Sequence, residues 1–247
     1  MFTSMTIPTD LIDAFTPTGV LRATINLGNP ILARRDDDGA PSGVSVDLAH
    51  AFAQRLGVEL SLVVLESAGE AVDVVTQEKA DIGFFAIDPK RAAGIRFTSA
   101  YVLIAGAYLV KNTSPLQTLE DVDHPGHRVT VGKGSAYDLF LTRTLTQATI
   151  ERAPTSPTVV ETFLKEGSHV AAGVKQQLEK DARHHTGLRL LPGSFMTIQQ
   201  AMGLPAARGD HAARLLADFV EDMKRDGVVA KALARHGIEG AEVAPAS

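Results

Sequence analysis

Residues 43–65 read GVSVDLAHAFAQRLGVELSLVVL. Leu48, Phe52 and Leu56 recur at i, i+4 and i+8, and Ala49 and Ala53 widen the same face, so the spacing predicts a helix over Val46–Leu56. Ser45 stands where a helix is capped and Gly57 where one closes. The apolar run Val58–Leu65 that follows reads as a strand. Upstream, Val20–Asn26 is a second strand candidate, running into the turn Gly28-Asn29-Pro30. Downstream, Glu70–Lys79 reads as a helix and Asp81–Phe85 as a buried strand. A β-α-β-α-β series of this kind predicts a mostly parallel sheet covered by helices.

The alternation then restarts. His127–Val131, Thr149–Arg152, His169–Ala172 and Leu188–Leu191 read as strands. Ser135–Ala148, Thr158–Lys165 and Val174–His184 read as the helices between them. Two extended segments, Ser99–Val110 and Ser194–Gly203, lie between and after the two series. Helices at Asp210–Arg225 and Val228–His236 follow, the first with an apolar stripe expected to pack in a core. The Gly/Ala/Pro tail is expected to fray. The predicted fold class is therefore α/β with two lobes joined by two crossover strands. One lobe takes residues 1–106 and 196–247, the other residues 107–195. Ligands of such folds sit in the crevice beyond the carboxyl ends of the strands.

Composition narrows the function. Of 247 residues 45% are hydrophobic and 21% charged, as in an ordinary folded domain. The net charge of −5 has no basic stripe, and aromatic residues make up only 5%, which argues against a nucleic-acid partner. No cysteine is present, so disulfides, thiolate metal sites and thiol nucleophiles are excluded. Among the eight histidines, His184-His185 and His124 with His127 lack the third ligand and spacing of a metal site. No phosphate-binding loop, dinucleotide fingerprint or nucleophile elbow occurs, and no cofactor is expected. The longest apolar run, Tyr101–Val110, is too short to cross a bilayer. The opening Met1–Pro8 has neither a basic nor an apolar leader region. Two readings stay open: a secretory leader already removed, or a cytosolic protein.

Three stretches carry a family resemblance. They are Gly43-Val-Ser-Val-Asp47-Leu; Ala80-Asp-Ile-Gly-Phe-Phe-Ala-Ile-Asp-Pro-Lys-Arg91 with Ile95-Arg-Phe-Thr-Ser-Ala-Tyr101; and Val129-Thr-Val-Gly-Lys-Gly-Ser135-Ala-Tyr137. In this order they resemble the type II periplasmic solute-binding protein superfamily, in its amino-acid-binding branch (extracellular solute-binding protein family 3), over about residues 18–237. The resemblance implies a Venus-flytrap pair of lobes that closes on a small carboxylate-bearing molecule. It also implies a monomer in the periplasm, with an ABC transporter permease as a partner, or a sensing role.

By that resemblance Arg91 is the fork for a ligand carboxylate, a geometry suited to its planar guanidinium. Ser135 opens the second-lobe helix that presents backbone N–H groups to the same anion. Tyr137 faces the cleft or packs beside it. Phe85 and Ala86, with Phe84, wall the cleft where the first-lobe strand ends. Asn29 and Ser67 offer polar contacts where the family has stacking aromatics. Lys175 stands near a position where the family carries an ammonium-binding Asp, which implies a ligand with a second anionic group or without an amine. A competing class is an enzyme on the same scaffold, a cyclohexadienyl dehydratase-like lyase, with Glu66, Glu70 or Asp88 as its general acid.

Overall fold

The computed structural model describes residues 7–247. Met1–Thr6, on which the leader question turns, lie outside them. The first series runs α1 (Thr9–Phe15), β1 (Leu21–Asn26), a small hairpin of β2 (Arg34–Arg35) and β3 (Pro41–Ser42), α2 (Val44–Leu56), β4 (Leu60–Leu65), α3 (Ala68–Thr76) and β5 (Gly83–Ala86). Strand β6 (Ile95–Lys111) then crosses to a second series of β7 (Arg128–Gly132), α4 (Ala136–Thr144), β8 (Thr149–Ala153), α5 (Val159–Glu166), β9 (Val170–Val174), α6 (Lys175–His184) and β10 (Leu188–Leu190). Strand β11 (Met196–Pro205) returns, followed by α7 (Gly209–Arg225), α8 (Val228–Arg235) and β12 (Glu242–Val243).

The β6 strand is 17 residues long. At about 3.3 Å per residue it spans ~55 Å, enough to run through two lobes. From Ile95 to Gly106 it pairs with β11, and from Gly106 onward with β9 and then β10. The two extended segments are thus the crossovers, hydrogen-bonded to each other antiparallel. The sheet is consequently mixed rather than mostly parallel. In it β8, β7 and β9 pair in parallel while β5, β11, β6 and β9 are antiparallel neighbours, and β1 and β4 form a separate parallel pair. The return of the chain through β11 imposes this, because a strand that comes straight back along its partner runs antiparallel to it.

Apolar burial organises the first lobe. The helix read from residues 46–56 begins two residues earlier, and its core face buries Leu48, Ala49, Phe52 and Leu56. Phe52 sits between Phe15 of α1 (5.0 Å, edge-on) and Phe219 of α7 (4.9 Å), so three helices share one aromatic contact. The Arg55 guanidinium lies over Phe219 at 5.1 Å. Ser45 does not cap α2: it is buried inside the first turn, and its N–H donates to the Leu32 carbonyl. Gly43 precedes the helix at φ 129°, where a Cβ would stand 2.4 Å from that carbonyl. Only glycine enters the helix by this route.

The tail does not fray. β12 pairs with Leu103 and Val102 of β6, Ala244 is buried with its N–H on the Tyr101 carbonyl, and Lys224 donates to the Pro245 carbonyl at 2.9 Å.

Candidate functional site

A cavity lies where the two series meet, lined from β1 and the loop after it, α2, β5, the start of α4, the loop before α5, the end of β9 and β11. Arg91 is its charged centre. It opens a single 3-10 turn after β5 and is 5% exposed. Its Nη1 donates to the Ala86 carbonyl at 3.1 Å and its Nη2 to the Gly134 carbonyl, across the cleft, at 2.9 Å. A guanidinium has five N–H donors, so three remain for other acceptors. Burial lowers its pKa to about 10 despite the opposing charge of Asp88, leaving it cationic at neutral pH.

Facing it, Gly132-Lys-Gly-Ser135 turns β7 into α4. Gly134 adopts φ 72°, a left-handed conformation suited to glycine. The loop closes on itself: Gly134 N–H donates to the Asp138 carboxylate (2.8 Å) and Ser135 Oγ accepts from Asp138 N–H (3.0 Å). Arg152 neutralises Asp138 from outside. The N–H groups of Ala136 and Tyr137 lie in the first turn of the helix, where backbone donors lack intrahelical acceptors, and both residues line the cavity. Arg91 and this helix start therefore present positive potential from opposite sides of the cleft.

The sequence-proposed residues divide cleanly. Arg91, Ser135, Tyr137, Phe85, Ala86 and Asn29 all line the cavity. Tyr137 is buried, and that burial raises the pKa of its hydroxyl and holds it protonated. Ser67 is not a lining residue. Its Oγ accepts from Glu70 N–H while Glu70 accepts from Ser67 N–H, a capping box for α3, and Ala68 meets the cavity instead. Lys175 is exposed and outside the lining, whereas its neighbour Val174 is inside. At a strand end successive side chains point to opposite sides, so a slip of one residue exchanges cavity for solvent.

Sequence reasoning missed Gln200, Ser156, Ser45 and Asn26. Gln200 is one of two adjacent glutamines in the crossover strand, and only it is buried, Gln199 being exposed. The candidate acids for a lyase lie elsewhere. Glu70 serves the capping box, Glu66 is exposed beside Arg35, and Asp88 is buried against Arg143 of α4 at 2.8 Å. Among the described residues, no acidic side chain lines the cavity, and no helix is long and apolar enough to cross a membrane.

Comparison with known proteins agrees with this architecture. The solute receptor for L-cysteine of Neisseria gonorrhoeae superposes with a TM-score of 0.79 at 19% identity, covering 93% of this chain and 94% of that one. An ancestral amino acid-binding protein described as a precursor of cyclohexadienyl dehydratase superposes at 0.75 with 20% identity, over 91% and 98% of the two chains. At such identities the likeness establishes the fold. Among curated proteins, membrane-bound lytic murein transglycosylase F of Maricaulis maris (strain MCS10) is 28% identical over 120 residues. That match takes in 46% of this chain and only 25% of the transglycosylase. The model of the bacterial extracellular solute-binding proteins, family 3, matches residues 21–238. The chain belongs to that family of solute-binding proteins.

Proposed function

We propose that the protein captures a small carboxylate-bearing molecule between its lobes, residues 1–106 with 196–247 closing on residues 107–195. One observation carries the proposal: the buried Arg91 guanidinium faces the start of α4 across the cleft, with donors to spare. Arg91, Ser135 and the first-turn N–H groups of α4 hold the carboxylate. Phe85, Ala86 and Tyr137 wall it, and Asn29 meets its polar end. Bound anion tied to both lobes stabilises the closed form, and hinge movement at β6 and β11 is the mechanism. In this reading the protein is a monomer outside the cytoplasm that delivers its solute to an ABC-type permease or reports its presence.

Thermal unfolding with a panel of carboxylates tests the capture. A ligand at 100 times its Kd stabilises by about 2.7 kcal/mol, or roughly 5–10 °C for a chain of this size. Arg91→Ala should abolish that shift. A shift that survives Arg91→Ala places the carboxylate elsewhere and overturns the proposal.

A further inference from the structure

Among the described residues, one formal charge lines the cavity. Arg91 supplies it, and the other polar side chains in the lining are neutral amides and hydroxyls, among them Asn26, Asn29, Ser45, Ser156 and Gln200. The buried carboxylates Asp81, Asp88 and Asp138 lie outside the lining and are each paired with a cation. Asp81 is held by Arg22 and Arg208, Asp88 by Arg143 and the Lys90 N–H, and Asp138 by Arg152 and the Gly134 N–H. A zwitterion seated on Arg91 therefore brings an ammonium into a largely enclosed site where, among the described residues, no carboxylate lines the cavity to offset it, which is unfavourable. An acid with a hydroxyl in place of the ammonium carries one negative charge to match the one positive charge. Its hydroxyl also has an acceptor waiting, because Asn29 Oδ1 is buried without a partner. The free volume of about 40 Å³ corresponds to roughly three waters, which favours a small molecule.

We infer that the site takes small monocarboxylic acids lacking an α-ammonium, hydroxy acids foremost. This rests on the carboxylate capture proposed above, and it does not depend on Lys175, which is exposed.

The test is calorimetry on the full chain with small molecules sharing one carbon skeleton: L-alanine, L-lactate and pyruvate, then glycine, glycolate and glyoxylate. In each set the hydroxy acid should bind at least tenfold more tightly than the amino acid, and Arg91→Ala should lose both. An amino acid that binds as tightly as its hydroxy partner, still dependent on Arg91, overturns this inference and leaves carboxylate capture standing. No binding by any of the six overturns this inference, while carboxylate capture stands or falls separately on the wider panel with Arg91→Ala. A second variant probes the charge balance directly. Val174 lines the cavity immediately before α6 with φ −63° and ψ 128°, where Asp is a favoured cap. Val174→Asp should swing preference toward the amino acid by at least tenfold, and an unchanged preference refutes the charge argument.

Discussion

Asp88 and Arg143 are 55 positions apart, one following β5 of the first series and the other on α4 of the second, which places them on different lobes in the proposed reading. Asp88 is 4% exposed, while the Arg143 side chain is 44% exposed. Arg143→Ala leaves Asp88 with the Lys90 N–H as its remaining partner in the closed form, and parting the lobes returns the carboxylate to water. A hydrogen bond between charged groups is worth about 1.5–3 kcal/mol. Solvent around Arg143 screens it, bringing the loss to about 1 kcal/mol. At tenfold per 1.4 kcal/mol, the open–closed equilibrium moves about fivefold toward open. The apparent affinity for solute weakens by a similar factor when the closed form is the minor one. Small-angle scattering and a fluorescence distance between dyes on the two lobes read the first effect, and calorimetry reads the second. A variant whose lobe distance and affinity match the parent, with only its melting temperature lowered, refutes the reasoning: the ion pair then serves folding and not closure.

Other outcomes follow from the core and the caps. Phe52→Ala removes a fully buried ring from between Phe15 and Phe219 and should cost about 3–5 kcal/mol, read as a lower urea midpoint with little change in slope. Gly43→Ala drives a Cβ into the Leu32 carbonyl at a backbone angle that side chains avoid; a loss above about 2 kcal/mol is expected in the same assay. Acid should unfold the protein in a defined window. Burial opposes ionisation of Glu221, but Lys224, Ser99 and Ser247 outweigh it and hold its carboxyl at about 2. Backbone N–H groups of Ala148, Thr146 and Gln147 likewise outweigh burial at Asp123 and hold it at about 2. Both are folded-state depressions, so their stabilisation is complete above about pH 5 and is lost as the pH falls from ~4 toward 2. Melting temperatures measured across that range check it, with Glu221→Gln flattening the curve.

The alternation of helix and strand was legible because each element carries its own period, as Leu48, Phe52 and Leu56 do for α2. Parallel against antiparallel was not, since the direction of β11 depends on where the chain re-enters the sheet. The entry to α2 was misjudged because Ser45 is a good cap by composition, whereas the route through Gly43 is dictated by Leu32, which sequence does not place nearby. The cap at Ser67 and Glu70 was legible as a Ser-x-x-Glu pair and was read as cleft polarity instead. For the site, Arg91 was picked out by the family resemblance of its motif, since Asp88 and Lys90 are charges that follow the same strand, whereas Ser135 also carries a local signal, the glycines before its helix. Lys175 turned on a single-residue register, and Gln200 on which side of a crossover strand faces inward. The partnership of Asp88 with Arg143 is purely tertiary and leaves no mark along the chain.

The short C-terminal pairing of Glu242 and Val243 with β6 has a consequence for solubility. At Val102 and Leu103 the crossover strand has β11 on one flank and this tail on the other. A chain ending near residue 240 would expose unmatched backbone donors and acceptors on that flank of β6, an invitation for a strand from another molecule to add itself there. It would also strip the buried Lys224 ammonium of its Pro245 acceptor. In the full chain the last few residues instead occupy that flank of β6.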